Sequence, residues 1–177
     1  MRLFLSIPIG KKVAVKLTSC IESFPDGHKL RWIPPANYHI TLLFMGETGE
    51  QSVPEIKKAV ESILNSTPPL PTLTFDSFKT VHGNKPKMIW AAYKHSKQWQ
   101  TLRDNLYYAV IGKGKPDHVV FSPHVTMARV YDKKPIQCPD VSGEMDLTVE
   151  PNELILMQSL LKKEGAEYEP VHHFQLP

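Results

Sequence analysis

The chain has 177 residues, 41% of them apolar and 22% charged, enough to bury a core in one domain of ordinary size. Lys and Arg exceed Asp and Glu by 21 to 18, a net charge of +3 that admits an anionic ligand but is far too small for a protein that coats nucleic acid. No apolar run reaches the ~20 residues of a membrane-spanning helix, and the N-terminal run is broken too early by Lys11 and Lys12 to read as a secretory signal. Cys20 and Cys138 stand far apart, which excludes a CxxC zinc knuckle or a dense disulfide scaffold. The expectation is a reduced, cytoplasmic protein that makes no membrane contact.

Residues 2–7 are an apolar β-type run closed by Pro8. Val13, Leu17, Cys20, Ile21 and Phe24 recur at helical spacing and predict a helix that stops before Pro25-Asp26-Gly27. Tyr38 to Phe44 predicts a second strand. Ser52-Val53-Pro54-Glu55 has the form of a capping box and opens a helix with Ile56, Val60, Ile63 and Leu64 on one face. Thr72–Phe78 and Met88–Tyr93 predict two strands joined through His82-Gly83-Asn84. Trp99, Leu102, Leu106 and Val110 mark a third helix, ended by Gly112. Strands are expected near 124–130, 145–149 and 153–160, and one more near the C-terminus. The sixteen prolines punctuate these short elements and build no linker. The elements alternate too briefly for a doubly wound parallel sheet, and no Gly-rich phosphate loop follows a strand, so the class is α+β.

Two segments carry chemistry. Tyr38-His39-Ile40-Thr41-Leu42 and Pro123-His124-Val125-Thr126-Met127 both read His-apolar-Thr-apolar, 85 residues apart, near half the chain, as a duplicated lobe would give. Along a strand, residues i and i+2 share a face about 6.6 Å apart. Each motif therefore presents one imidazole and one hydroxyl on one side and packs Ile40 or Val125 on the other. Two imidazoles supply an acid and a base near neutral pH, and threonine hydroxyls donate to phosphate oxygens. In-line attack on a phosphodiester needs just these groups, and no metal or cofactor. A lone His-x-Thr is weak evidence, because a strand histidine is commonly a hydrogen-bonded core residue. The second copy is what lifts the pair. Zinc ligation is the rival for paired histidines, but neither motif has a second ligand type at i+2.

These segments resemble those of the 2H phosphoesterases, in particular the bacterial and archaeal RNA 2′,3′-cyclic phosphodiesterases, also called 2′-5′ RNA ligases. RLFLSIPI resembles the family's opening strand, RWIPPANYHITLLFMGE and FSPHVTMARV its two signature regions, PKMIWAAY its central strand, and LILMQSLLKKEGAEYEPVHHF its closing strand pair. The resemblance implies two pseudo-symmetric lobes, each an antiparallel sheet flanked by helices, forming one bilobal domain over residues 1–177 with a catalytic cleft between them. It implies His39 as proton donor to the departing ribose oxygen, His124 as proton acceptor from water, and Thr41 and Thr126 on the phosphate. The implied reaction opens an RNA 2′,3′-cyclic phosphate to a 2′-phosphate, with reversible 2′-5′ ligation as its counterpart. The implied partner is an RNA bearing that end, tRNA fragments among them; nothing in the sequence suggests an obligate protein partner, so a monomer is expected.

Arg129 also joins the phosphate contacts by resemblance, yet it lies three residues after Thr126 and so on the opposite face of a regular strand; a bulge would re-aim it. His172-His173 are strand neighbours on opposite faces and read as surface residues. His82, Lys85 and Lys87 read as solvated loop residues, Trp90 as core, and Phe4 and Phe121 as buried strand aromatics before base-stacking ones. Two other functions fit the same motifs. One is a phosphodiesterase for a small cyclic nucleotide or ADP-ribose cyclic phosphate. The other is a non-catalytic module that binds RNA ends, although a pure binder needs no pair of proton-transfer groups.

Overall fold

A computed structural model describes residues 1–81, 87–112, 120–131, 134–141, 145–162 and 165–177. Its strands are β1 (Arg2–Pro8), β2 (Leu30–Trp32), β3 (His39–Glu47), β4 (Phe75–Val81), β5 (Lys87–Tyr93), β6 (His124–Val130), β7 (Glu153–Lys162) and β8 (Gly165–Gln175). All pair antiparallel in one sheet of order β4-β5-β6-β3-β1-β7-β8, with β2 added to β6. The strands fall into two groups, β2, β4, β5 and β6 on one side and β1, β3, β7 and β8 on the other. They meet where β3 touches β6 through the single pair Ile40 and Val125. The expected α+β class with antiparallel sheets and helices is therefore found.

Among the described residues three α-helices accompany the sheet: α1 (Gly10–Ser19), α2 (Val53–Asn65) and α3 (Lys97–Val110). Each buries the stripe its spacing forecast, with Val13 and Leu17 on α1, Ile56, Val60 and Leu64 on α2, and Trp99, Leu102 and Leu106 on α3. Trp99 is fully buried without an orphan donor, because its indole N–H bonds the Pro71 carbonyl at 2.9 Å. In β1, Leu3 through Ile7 are all buried. A strand at the middle of the sheet is covered on both faces, which explains its continuous apolar run. Among the described residues no helix is long and apolar enough to cross a membrane.

Several boundaries differ from expectation. α1 ends at Ser19 and Cys20–Ser23 continue as a 3₁₀ turn. Ser52 does not act as a capping residue. It already has helical dihedrals at the end of a 3₁₀ turn, Glu50–Ser52, and its hydroxyl makes no capping bond. β4 begins at Phe75, and the expected strand at 145–149 is reduced to one bridge, Leu73 to Val149. Leu147 and Val149 are buried there, so their apolar alternation reports packing and not a ladder. The His82-Gly83-Asn84 turn and Lys85 lie outside the described residues.

Candidate active site

Both His-x-Thr segments begin their strands, and the Ile40–Val125 pair fixes how they face. Paired residues of a ladder share a face, so Ile40 and Val125, both fully buried, lie on the core side. His39, Thr41, His124 and Thr126 alternate with them and stand together on the other face, each half-buried. The two motifs are thus juxtaposed at the one point where the halves of the sheet join.

The histidines are held alike. Nδ1 of His39 lies 2.8 Å from the Asn37 carbonyl, and Nδ1 of His124 lies 2.8 Å from the Ser122 carbonyl. A carbonyl only accepts, so in both rings Nδ1 carries the proton and Nε2, across the ring, is left to exchange one. Burial lowers the pKa of both below the usual 6.5, opposed by these carbonyl bonds; for His39 the charge of His124 lowers it further. Two neutral imidazoles that repel a second proton suit a pair of which one is charged at a time. Neither threonine hydroxyl makes a hydrogen bond with the described residues, which leaves two donors free on the site face.

The surroundings of the two rings differ. His124 lies flat on Trp90, ring centroids 3.5 Å apart and planes 13° from parallel. Trp90 sits opposite Thr126 in the ladder and is half-buried, so it is neither plain core nor an open platform. His39 instead meets the rings of Phe4 at 5.2 Å and Tyr168 at 5.0 Å, the latter edge-on. Tyr168, on β8, was not anticipated; only the ladder Ser159–Tyr168 beside β1 brings it there.

A repeated irregularity re-aims the residues that follow. In β6 the ladder to β5 skips Met127, pairing Ile89 with Ala128 and Trp90 with Thr126. In β3 the ladder to β1 skips Leu42, pairing Leu5 with Leu43 and Ser6 with Thr41. Each extra residue is a β-bulge that turns two successive side chains into the core: Met127 and Ala128, Leu42 and Leu43, all buried. Beyond it the faces are exchanged. Arg129, opposite Met88, therefore shares the site face with Thr126 and Trp90, which corrects the opposite-face expectation for a regular strand. Its counterpart is Phe44, 70% exposed, whose ring lies 5.8 Å from that of Phe4. Phe4 and Phe121 are buried, as their strand context implied, and Phe44 was missed. His172 and His173 stay apart, lying 3.7 Å from Glu61 and 2.8 Å from Glu153 respectively.

An antiparallel α+β fold that presents two His-x-Thr strands on one face defines a two-histidine phosphoesterase architecture. The chain belongs to the 2′-5′ RNA ligase superfamily, whose family model matches residues 17–162, and it is an enzyme of that group. It is 25% identical to an RNA 2′,3′-cyclic phosphodiesterase of Archaeoglobus fulgidus, covering 99% of this chain and 100% of that one. It is 27% identical to the enzyme of the same name from Bacillus subtilis, over 98% and 95% of the two chains. Among solved structures, TT0787 of Thermus thermophilus superposes with a TM-score of 0.79 over 99% of this chain and 98% of that one, at 20% identity, a likeness of fold.

Proposed function

We propose that this protein hydrolyses RNA 2′,3′-cyclic phosphate ends to 2′-phosphomonoesters, with the whole chain acting as one bilobal domain. The observation that carries this reading is the matched pair of imidazoles, each tied through Nδ1 to the carbonyl two residues before it, beside two threonine hydroxyls that bond none of the described residues. The relatives named RNA 2′,3′-cyclic phosphodiesterases support the same substrate class. His124 Nε2 takes a proton from water as its oxygen bonds to phosphorus. The P–O3′ bond breaks in line, and His39 Nε2 delivers its proton to O3′. Thr41 and Thr126 donate to the non-bridging oxygens, where charge builds in the transition state. Exchange with solvent then restores the two histidines. Arg129 adds a positive charge beside Thr126, and the exposed ring of Phe44 offers a nucleobase a stacking surface. An RNA 5′-hydroxyl in place of water would give a 2′-5′ linkage by the same steps, with hydrolysis prevailing in water.

The test is an oligoribonucleotide with a 2′,3′-cyclic phosphate, incubated with EDTA and analysed by mass and phosphate position. A 2′-phosphate product is expected, with roughly 10²–10⁴-fold lower rates for His39→Ala and for His124→Ala. Turnover that survives both substitutions would remove the site from the reaction.

A further inference from the structure

β7 and β8 form a hairpin whose ladder runs from Glu153 and Gln175 to Lys162 and Gly165, but β1 pairs with β7 only between residues 155 and 159. Residues 160–162 and 165–167 therefore extend beyond β1 as an arm, across which Lys162 and Glu167 form an ion pair. The ladder skips Val171, pairing Leu156 with His172 and Met157 with Pro170, and such a bulge bends the strand that carries it. The arm reaches the start of the first His-x-Thr segment. Asn37 Nδ2 donates to the Ala166 carbonyl at 3.3 Å, and Tyr168 sets its ring against His39 at 5.0 Å and 80°. Asn37 also holds the histidine directly, since its own carbonyl takes the Nδ1 proton of His39 at 2.8 Å. Its N–H closes a 3₁₀ turn on the Pro34 carbonyl at 2.8 Å. The bond to Ala166 thus steadies the acceptor that orients the imidazole. The buried Phe4 meets that ring at 5.2 Å and Tyr168 edge-on at 5.3 Å, so the two aromatics brace each other around His39. The second histidine has no such tether among the described residues: Ser122, at the place of Asn37, is exposed and its hydroxyl bonds none of them.

An imidazole bonded at Nδ1 and braced by two rings has one direction for its Nε2. A proton donor works only from hydrogen-bond reach of the atom it serves, and a misplacement of about 1 Å costs up to about 10²-fold in rate. We propose that Asn37 and Tyr168 are positioning residues for His39, through which the β7–β8 arm holds the proton-donating imidazole in line with the departing oxygen. Neither has to touch the substrate, because both act through His39. This inference rests on the proposed function and adds the element that aims its acid. The titratable groups that face His39 are His124, whose charge opposes its own, and Tyr168, whose ring is part of the cover that buries it.

The experiment measures kcat and KM on an oligoribonucleotide 2′,3′-cyclic phosphate for wild type, Asn37→Ala, Tyr168→Ala and Tyr168→Phe, each also combined with His39→Ala. Asn37→Ala and Tyr168→Ala should lower kcat roughly 10- to 100-fold with little change in KM. Tyr168→Phe keeps the edge-on ring and should restore most of what Tyr168→Ala loses. In the His39→Ala background the same substitutions should cost nothing more, since the ring they aim is gone. Titrating the imidazole Cε1 protons by NMR should show His39 rising toward its ordinary value in Tyr168→Ala as its cover is removed, with His124 in place as the reference for an intact fold. Asn37→Ala serves as the readout should Tyr168→Ala fold poorly. Losses that persist in the His39→Ala background, a change in KM alone, no loss at all, or an unmoved His39 titration would overturn the positioning role and leave the hydrolytic reading standing. No wild-type turnover, or turnover that survives His39→Ala, would overturn both.

Discussion

Replacing Trp90 tests whether the flat stack beneath His124 tunes the ring that the proposed reaction makes its proton acceptor. An accepting imidazole becomes a cation during the reaction, and a cation over an aromatic face gains roughly 0.5–1 kcal/mol when exposed and about 2 kcal/mol when desolvated. The ring separation of 3.5 Å and the 13° angle are the geometry of close contact, and His124 is half-buried, between those two cases. The stack therefore favours the charged imidazole, against the burial that pushes the pKa of His124 down. Trp90→Leu keeps the site apolar, so burial persists while the opposing attraction is lost. Titrating the imidazole Cε1 proton by NMR should show His124 titrating lower in Trp90→Leu than in the wild type and near the wild-type position in Trp90→Phe. His39, which touches Phe4 and Tyr168 and not Trp90, serves as the internal reference for an intact fold. A His124 that titrates at or above its wild-type position in Trp90→Leu, with His39 in place, would refute the reasoning.

Burial lowers both histidine pKa values, so raising the pH empties the acid and lowering it protonates the base; kcat/KM should follow a bell with its maximum below pH 6.5, and a maximum above pH 7 would contradict it. Phe44→Ala should raise KM for a base-bearing substrate roughly 5- to 150-fold, the worth of ~1–3 kcal/mol of stacking, while its exposure keeps the melting temperature nearly constant; an unchanged KM would remove the stacking role. Tyr93 is buried with its hydroxyl unpartnered among the described residues, and burial raises its pKa. Deleting that hydroxyl in Tyr93→Phe should stabilise by about 1 kcal/mol, or roughly 2–4 °C in Tm for a chain of this size. A lower Tm would show that the hydroxyl has a partner after all.

The helices were legible because their burial repeats at 3.6 residues and is local: Val60 and Leu64, or Leu102 and Leu106, declare a face without reference to the rest of the chain. The His-x-Thr pairs were legible for a similar reason, since i and i+2 share a face wherever a strand forms. Residues brought in by other strands were not. Tyr168 reaches His39 only because β8 pairs with β7 and β7 with β1, a chain of long-range registers that no local pattern encodes. The buried run at 145–149 shows the opposite failure, in which alternation arises from packing beneath a loop and no ladder accompanies it.

The bulges explain why the site reads as twofold at its centre and unequal at its edges. A regular strand would send the fifth residue after each histidine away from it, and Leu42 and Met127 undo that by leaving one residue without a ladder partner. The apolar doublets Leu42-Leu43 and Met127-Ala128 are the local trace of this, two neighbours both in the core where alternation allows one. The symmetry then ends with the residue it delivers. One half presents Phe44, flanked by Phe4; the other presents Arg129, flanked by Arg31. An aromatic ring and a guanidinium pair at equivalent places on either side of the histidines cannot be exchanged by a substrate that turns around. In the proposed reaction, a nucleotide with its base on Phe44 and its phosphate toward Arg129 would have one orientation relative to His39 and His124. The proposed acid and base would then take their fixed roles from residues that do not react.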